Sequence, residues 1–460
     1  MRFKCSNDWL RLLVLVCWIA SARELEGAEP PVWQAGVATV KITPEHSMWM
    51  AGYASRKSPS AGVVQDLYAK ALALQDESGQ RVVIVTMDLI GVPRELREKL
   101  STAAKEKYGL AEESLLLNAS HTHCGPELRL QRVPLDGNPE EVEKRLALAL
   151  EYSTVLQEKL VALIGSALQS LAPAHLDYQY ARCGFAMNRR RPSDGGFINS
   201  SYADGPVDHT VPVLRVTAAD GKLRAVLFGY ACHNTTLGFD FFCGDYAGYA
   251  QEYLEAAHPE VTALFLTGCG GDQNPYPRSK LELAQQHGRS LANTVDAALT
   301  TVPRPVRGPI RLRYSDVKLD FATPPPREQL EAQAAGTREP QRGHARRLLK
   351  QLDDTGKIVD EYAYPIQVIG FGQDLLLVAL AGETVVDYSL RLKQELAGSR
   401  PVWIAGYSND VFGYVPSLRV LREGGYEGGE AMLWGSLPGP FAPSVEARIV
   451  EQVLSMVRGL

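Results

Sequence analysis

Short apolar runs that end abruptly in polar residues recur along this chain. The clearest run covers residues 115–119 and leads into His121 and His123, one residue apart, before a Gly125-Pro126 turn. Side chains at positions i and i+2 of an extended segment point to the same face, so the two imidazoles can converge on one point where the strand ends. Neutral imidazole is a common nitrogen ligand of zinc. A metal site is therefore one interpretation, and an ordinary strand end with two solvated or hydrogen-bonded histidines is the other.

Two later strand ends carry further candidate metal ligands. His233 closes the apolar run 226–231, and Glu383 follows the apolar run 375–381. Ligands that are distant in sequence but share one edge of a sheet are typical of a catalytic metal site. Each residue also has an ordinary structural interpretation, because a strand-end histidine often hydrogen-bonds within the core and a carboxylate at a helix start interacts favourably with the helix dipole.

Two polar loops follow other predicted strands. The loop 406–416 contains Tyr414, an uncommon type of metal ligand, and loop tyrosines usually pack the ring and expose the hydroxyl. The loop 267–275 is rich in glycine, which permits positive φ angles and a close approach of the backbone to a ligand. It lacks the lysine of a phosphate-binding loop. Taken alone, neither loop defines a site.

The order of the predicted elements favours one large α/β domain. Of the 460 residues, 45% are hydrophobic and 22% are charged, which are globular values that exclude a disordered or fibrous class. Strands and helices interleave to the end of the chain, without a Ser/Gly linker or an internal repeat. We therefore predict a single domain over residues 30–460, with a mixed multi-stranded sheet core flanked by helices. The helical stretch 325–355 is predicted to be an insertion or a lid.

Alternating apolar positions and buried runs predict the strands, and apolar spacing of 3.6 residues predicts the helices. The predicted strands cover residues 36–43, 67–75, 82–88, 114–120, 176–183, 210–216, 223–231, 262–267, 308–318, 363–371, 374–381 and 402–405. The predicted helices cover residues 94–108, 139–171, 246–257, 279–299, 327–352, 384–397 and 442–457.

The N-terminus has the pattern of a secretory signal peptide. Arg2 and Lys4 precede a short apolar core, and a site of small residues follows at 20–22. We therefore predict a signal peptide over residues 1–22 and an exported mature protein, periplasmic or secreted. A retained membrane anchor is the alternative, which Arg11 and the shortness of the apolar stretch disfavour.

Charge and cysteine content narrow the classes of function. Removal of residues 1–22 takes away three basic residues and one acidic residue, which changes the formal charge from −5 to −7. A mildly acidic chain is a poor nucleic-acid binder, so we predict no nucleic-acid partner. Five cysteines then remain, an odd number that is too few for a disulfide scaffold and leaves at least one thiol free within a monomer.

A series of short motifs runs in a fixed order over nearly the whole mature chain. The motifs are Ile42-Thr43-Pro44, Met50-Ala51-Gly52-Tyr53, Leu67-Tyr68-Ala69, His121-Thr122-His123-Cys124-Gly125-Pro126, Asn188-Arg189, Val207-Asp208, His233, Asp245-Tyr246-Ala247-Gly248-Tyr249-Ala250, Gly271-Asp272, Gly382-Glu383, Asn409 with Tyr414, and Tyr426-Glu427-Gly428. In this order they resemble the catalytic domain of the neutral/alkaline (non-lysosomal) ceramidases. Any single motif could arise by chance, and the resemblance depends on their common order.

The resemblance implies a zinc hydrolase, exported according to the signal-peptide pattern, that acts on a small-molecule or lipid amide, and it is compatible with peripheral contact with a membrane surface. It implies a zinc site formed by His121, His233, Glu383 and Tyr414. It also implies catalytic roles for His123, Arg189 and Tyr426, and substrate contacts by Asn274, Asp272, Gly271 and Asn188. Three protein ligands and a weaker phenolic one leave room for a water whose pKa zinc lowers, so that hydroxide can attack an acyl carbon. His123 could then shuttle a proton, while Tyr426 or the zinc stabilises the oxyanion.

The sequence departs from the family pattern at one loop and at its end. Family members with ceramidase activity carry a serine in Gly-Asp-Val-Ser-Pro-Asn, and this chain has Asn274 at that place. An amide cannot act as a hydroxyl nucleophile, although it can hydrogen-bond a substrate carbonyl or amide. We also expect the family's C-terminal immunoglobulin-like domain to be missing, since the chain stops soon after the catalytic part. Three functions stay open: zinc-dependent cleavage of an N-acyl amide, cleavage of an ester or lactone at the same site, and a non-catalytic binding role on the same fold.

Overall fold

The computed structural model describes residues 32–129, 138–398 and 400–460. The predicted signal peptide, residues 1–22, lies outside this part of the chain. The strands are, in chain order, β1 (Trp33–Lys41), β2 (Gly62–Val63), β3 (Tyr68–Asp76), β4 (Arg81–Met87), β5 (Leu115–Ala119), β6 (Ala172–Arg182), β7 (Ala186–Ser193), β8 (Gly196–Tyr202), β9 (Thr210–Ala218), β10 (Leu223–Tyr230), β11 (Phe241–Phe242), β12 (Thr262–Thr267), β13 (Gln273–Pro275), β14 (Arg304–Val306), β15 (Ile310–Asp320), β16 (Glu361–Phe371), β17 (Leu375–Leu380), β18 (Glu383–Thr384), β19 (Val402–Ala405) and β20 (Tyr414–Val415).

The helices alternate with these strands, as the apolar spacing predicts. They are, in chain order, α1 (Arg94–Tyr108), α2 (Pro139–Gln169), α3 (Asp245–Ala257), α4 (Leu281–Leu299), α5 (Arg327–Ala335), α6 (Gln341–Thr355), α7 (Val386–Glu395), α8 (Leu418–Glu423), α9 (Gly425–Gly428) and α10 (Val445–Arg458). Helix α1 ends at Gly109 in the left-handed conformation, with φ of 65°, which is a common way for a helix to terminate.

The larger sheet is mixed and is buried on both faces. Its strands lie in the order β12-β10-β9-β6-β1-β3-β4-β5, and β14 pairs with β6. The pairs β10/β12 and β4/β5 are parallel, whereas β1/β3 and β6/β9 are antiparallel. In β4, Val82 and Ile84 face one core while Val83 and Val85 face another. Both faces need apolar residues, which explains why the sequence of this strand is a continuous apolar run.

A second sheet, β15-β16-β17-β19, packs face to face with the larger one. Leu375 and Leu377 of β17 share a core with Val82 and Ile84 of the larger sheet. The intervening Leu376 and Val378 instead share a core with residues of α7 and α10. On the far side, the larger sheet packs against residues of α1 to α4. The layers are therefore helix, sheet, sheet and helix, and the predicted mixed α/β class with flanking helices is confirmed.

Asn118, fully buried near the end of β5, joins the ends of strands from both sheets. Its Nδ2 donates to the Gly406 carbonyl at 2.8 Å and to Ser408 Oγ at 3.1 Å. Its Oδ1 accepts a hydrogen bond from the Thr267 N–H at 2.9 Å. A β-bridge also connects residues 268 and 405. The segments that follow β5, β12 and β19 consequently converge at one edge of the double sheet.

The helical stretch predicted at 327–352 is two helices, α5 and α6, because a break containing Gly336 and Pro340 interrupts it. Helix α6 holds the segment 433–437, since Arg347 Nη2 donates to the Leu433 carbonyl at 2.8 Å and His344 Nε2 lies 2.8 Å from the Leu437 carbonyl oxygen. The β7/β8 hairpin was not predicted, because its polar strands lack apolar alternation.

Within residues 32–129, 138–398 and 400–460, no helix combines the length and hydrophobicity of a membrane-spanning segment.

Candidate metal centre

His121 follows β5 and is 1% exposed. Its φ angle is 61°, in the left-handed region that non-glycine residues rarely adopt, and such residues cluster at functional sites. Its Nδ1 lies 2.6 Å from the Ile90 carbonyl oxygen. A carbonyl can only accept a hydrogen bond, so Nδ1 carries the proton of the neutral ring. Nε2 is therefore left as a lone-pair donor that points into the site.

His233 repeats this arrangement at the end of β10. Its Nδ1 lies 2.6 Å from the Gly270 carbonyl oxygen, and its backbone N–H donates to the Gln273 carbonyl at 2.9 Å. The glycine-rich loop 267–275 thus fixes both the ring and the backbone of His233, although Gly268, Gly270 and Gly271 do not adopt the positive φ angles that glycine permits. As in His121, the proton resides on Nδ1, and Nε2 is available to a metal ion.

Glu383 brings a carboxylate to the two imidazoles. Its Oε2 lies 3.2 Å from His121 Nε2 and 3.3 Å from His233 Nε2. Among the described residues this buried oxygen has no hydrogen-bond partner. Three lone-pair donors thus face one another, which is unfavourable unless a cation lies between them. The residues present fit a divalent metal ion.

His123 is the third histidine of the site. Its Nε2 lies 3.2 Å from His121 Nε2, and the nitrogens of His121, His123 and His233 lie within 4.8 Å of one another, a cluster that could hold a metal ion. Its ring lies against Tyr53, with centroids 4.7 Å apart. The Nδ1 of His123 is buried and has no hydrogen-bond partner in the described part of the chain. The geometry therefore offers His123 either as a further metal ligand or as the neighbouring proton carrier that the resemblance implies.

Burial controls the charge of these histidines. Burial lowers the pKa of His233 to about 3, and the neighbouring Arg189 acts in the same direction. Burial also holds the pKa of His123 well below its usual range. Burial raises the pKa of Glu383, whereas positive charge on His121 or His233 would hold it well below its ordinary value. Near neutral pH the site contains at least two neutral imidazoles, and together with the Glu383 carboxylate they form a donor set that can bind a cation.

Tyr414 also contacts His233. Its Oη is 2.9 Å from His233 Nε2, and the two rings are stacked with an interplanar angle of 8°. Arg189 Nη2 donates to the same Oη at 2.9 Å. Glu383 and Tyr414 are register partners in the short parallel pair β18/β20. The structure therefore brings together all four residues predicted to bind zinc.

Asn274 is the predicted substrate-contact residue that the structure brings to this cluster. Its Oδ1 accepts hydrogen bonds from Arg189 Nη1 at 3.1 Å and from Thr235 Oγ1 at 3.3 Å. Because both bonds use the amide oxygen, the Nδ2 amino group is the donor that this side chain can offer to a ligand.

The other three predicted substrate-contact residues are buried in supporting positions. Asp272 Oδ2 accepts from Asn188 Nδ2 at 3.0 Å, and its Oδ1 accepts from the Val386 N–H at 2.8 Å. A Cβ at Gly271 would lie 2.5 Å from the Glu383 carbonyl oxygen. These residues hold the segments that carry Arg189 and Glu383.

Tyr426, the last of the predicted catalytic residues, lies at the edge of the site. It is 36% exposed, and its ring centroid lies 5.3 Å from that of Tyr414. Its exposure contrasts with the burial of the metal-ligand candidates. Tyr426 therefore occupies the solvent side of the cluster.

Sequence reasoning assigned no role to three residues that position the site, although Glu427 lies in one of the motifs. Tyr407 is fully buried with φ of 49°, and its Oη lies 3.2 Å from His233 Nδ1. Glu427 binds Arg189, and Asn118 joins the strand ends behind His121. For Asn118 the available signal was a polar residue inside an apolar run, since buried polar residues require partners, and for Glu427 it was the motif Tyr426-Glu427-Gly428.

The fold and the site define an α/β protein with a candidate metal centre at the edge of a double sheet. A family model described as "Neutral/alkaline non-lysosomal ceramidase, N-terminal" matches residues 33–277, and the chain belongs to that family. The family predicted from the motifs is therefore confirmed.

Individual relatives support the same assignment. The neutral ceramidase of Pseudomonas aeruginosa is 24% identical over 93% of this chain and 73% of its own length. Neutral ceramidase 2 of Arabidopsis thaliana is 32% identical over 48% of this chain and 29% of its own. The crystal structure of neutral ceramidase from Pseudomonas aeruginosa matches with a TM-score of 0.70 and 22% identity, over 92% of this chain and 73% of that one. The structural match extends the similarity of fold through nearly the whole described chain.

Proposed function

We propose that this protein is a zinc-dependent hydrolase that cleaves the N-acyl amide bond of ceramide or of a ceramide-like lipid amide. The observation that carries the proposal is the convergence of His121 Nε2 and His233 Nε2 on Glu383 Oε2, at 3.2 and 3.3 Å. Family membership supports the class of substrate, and the names of the relatives contain the word ceramidase.

The donor set suits zinc in particular. Imidazole nitrogen and carboxylate oxygen are its common ligands in catalytic sites, and it accepts the low coordination number that a crowded, buried cluster imposes. His121, His233 and Glu383 would hold the ion, with Tyr414 Oη as the weaker donor next to His233. When bound, zinc supplies a Lewis acid that polarises a carbonyl oxygen and lowers the pKa of water towards neutrality.

We assign to His123 the transfer of the proton that hydrolysis requires. Addition of water to the acyl carbon releases one proton, and the C–N bond breaks only when the leaving nitrogen receives one. His123 is adjacent to the metal-ligand candidates, and its Nδ1 is unbonded within the described residues. A neutral imidazole in this position can take up the proton released by the water and deliver the same proton to the leaving nitrogen.

Three residues would bind the oxygen atoms of the substrate. Arg189 is 4% exposed and keeps its charge, so it stabilises negative charge that develops beside Tyr414. Tyr426 offers a hydroxyl on the solvent side, and Asn274 offers its Nδ2 amino group. Asn274 does not argue against turnover, because the proposed nucleophile is water and not a side-chain hydroxyl.

The test compares matched substrates on the purified protein. We expect turnover of a ceramide with a fluorescent acyl chain to exceed turnover of the corresponding ester, and we expect a chelator to abolish it and zinc to restore it. Faster cleavage of the ester would instead support an esterase or lactonase function. Absence of turnover on both substrates in a zinc-loaded protein would support the non-catalytic binding role.

We also propose that the protein is exported after removal of residues 1–22, on the signal-peptide pattern of Arg2, Lys4 and the small residues 20–22. N-terminal sequencing of the protein recovered outside the cytoplasm tests this, with a mature start near Arg23 or Glu29 as the expected result. An intact N-terminus in the membrane fraction would support a retained anchor.

A further inference from the structure

We propose that Glu427 is a positioning residue of this site: it holds the Arg189 guanidinium in the orientation that reaches Tyr414 and Asn274. This inference rests on the proposed function and concerns how the site is held in place. Glu427 is 3% exposed and lies on α9, next to Tyr426 in the chain.

Glu427 binds two buried arginines at once. Its Oε1 accepts from Arg189 Nε at 2.7 Å, and its Oε2 accepts from Arg190 Nη1 at 2.6 Å. Arg189 and Arg190 are 4% and 3% exposed, so water does not compete freely for these contacts. Although burial opposes its ionisation, the two arginines hold the pKa of Glu427 below its ordinary value. The carboxylate is therefore a fixed, charged anchor in the interior.

The planar Arg189 guanidinium connects Glu427 to the metal-ligand candidates. Its N–H groups form a rigid fork, so fixing Nε also fixes the directions of Nη1 and Nη2. Those two atoms donate to Asn274 Oδ1 at 3.1 Å and to Tyr414 Oη at 2.9 Å. Tyr414 Oη in turn lies 2.9 Å from His233 Nε2. Glu427 thus acts on the metal-ligand cluster through Arg189.

The short helix α9 adds a second consequence. Tyr426 is 36% exposed and Glu427 is 3% exposed, so these adjacent residues face the open side and the interior respectively. Arg190 Nη2 also donates to the Gly424 carbonyl at 2.8 Å, which ties the start of this helix to the same arginine pair. Release of Glu427 would therefore affect Tyr426 as well as Arg189.

Glu423 provides a matched control. It is a glutamate on the preceding helix α8, and its Oε2 accepts from Arg190 Nη2 at 3.2 Å. It also binds Arg419, and within the described part of the chain its side-chain hydrogen bonds go to Arg190 and Arg419. Glu423→Gln removes a carboxylate from the same arginine pair and leaves the anchoring of Arg189 intact.

The experiment measures kcat, KM and zinc affinity for the wild type, Glu427→Gln, Glu423→Gln, Arg189→Met and the Glu427→Gln/Arg189→Met double variant. The substrate is a ceramide with a fluorescent acyl chain, and zinc affinity is measured by chelator competition. Glu427→Gln places an amide N–H against an arginine N–H. We expect it to lower kcat or zinc affinity by about 10- to 100-fold, as loss of residues that orient metal ligands does. Glu423→Gln should change both by less than about threefold.

The double variant separates positioning from general support of the fold. If Glu427 acts through Arg189, Glu427→Gln should have little further effect in the Arg189→Met background. The proposal would be overturned if Glu427→Gln had the same effect in the wild type and in the Arg189→Met variant. It would also be overturned if Glu427→Gln kept the kcat and the zinc affinity of the wild type. If Glu427→Gln does not fold, Glu427→Asp replaces it in the same double-mutant comparison with Arg189→Met, because aspartate keeps the charge but has a shorter side chain. The same outcomes then support or overturn the proposal. A wild type without metal-dependent turnover would refute the proposed function, and the zinc-affinity cycle would still decide the role of Glu427.

Discussion

At Gly52 a single added methyl group would clash directly with a histidine of the site. A Cβ built on Gly52 would lie 2.3 Å from His123 Nδ1 and 2.4 Å from His123 Cγ. Carbon contacts are normally about 3.5 Å or longer, so the imidazole would have to move by about 1 Å. His123 Nε2 lies 3.2 Å from His121 Nε2, and a shift of this size changes that contact substantially.

Two costs add up in Gly52→Ala. The φ angle of 97° is unfavourable for alanine, at about 1–2 kcal/mol, and overpacking against a buried ring costs about 1–3 kcal/mol more. We therefore expect a loss of about 2–5 kcal/mol in the free energy of unfolding. A misplacement of about 1 Å at a catalytic group can reduce kcat by roughly 100-fold.

Gly79→Ala is the matched control. Gly79 has a similar φ of 84°, but a Cβ there would contact nothing within 4 Å. It should show the backbone cost alone and leave kcat unchanged. Denaturant unfolding of both variants gives the free energies, and turnover of a fluorescent ceramide gives kcat. Equal stability and equal kcat in the two alanine variants would refute the assigned contact between residue 52 and His123.

Three further predictions follow from the structure. Asn118→Leu should lower the free energy of unfolding by about 2–3 kcal/mol, since it removes the acceptor of the buried Thr267 N–H and one of the two donors to the Gly406 carbonyl, whereas Ser408→Ala should cost about 1 kcal/mol; equal losses in denaturant unfolding would contradict this. In metal-free protein, His233 has a folded pKa of about 3, so the unfolded chain binds the proton first as pH falls below about 6.5. Stability should therefore rise with pH between about 3 and 6.5, and His233→Gln should reduce the slope by up to about 1.4 kcal/mol per pH unit; an unchanged slope in pH-dependent unfolding would contradict the burial argument. Removal of metal with a chelator should lower the melting temperature, and added zinc should restore it in wild type but not in His121→Ala.

The strand ends and their polar residues were predictable because they depend on local patterns. His121 and His233 each follow an apolar run, and the rule that side chains alternate along a strand applies before any tertiary structure is known. Helix α1 was predicted at its observed bounds, since its apolar spacing and terminal glycine both agree with a helix.

The division of the core into two sheets was not predictable in the same way. Leu375 and Leu376 are equally apolar in sequence, yet they face different cores. The β7/β8 hairpin, which carries Arg189, was missed because its polar strands resemble a loop. Arg189 and Arg190 of this hairpin bind Glu427, a partner more than 230 positions away. Such pairs depend on chain topology and leave no periodic signal.

The metal content of the purified protein tests the central claim most directly. Elemental mass spectrometry would be performed on the wild type and on His233→Ala, each shown to be folded by circular dichroism and each supplemented with zinc. We predict about one zinc ion per wild-type chain and its loss in the variant, because His233 Nε2 is one of the converging donors. A folded wild type without metal, or a variant that retains its metal, would contradict the proposed metal centre.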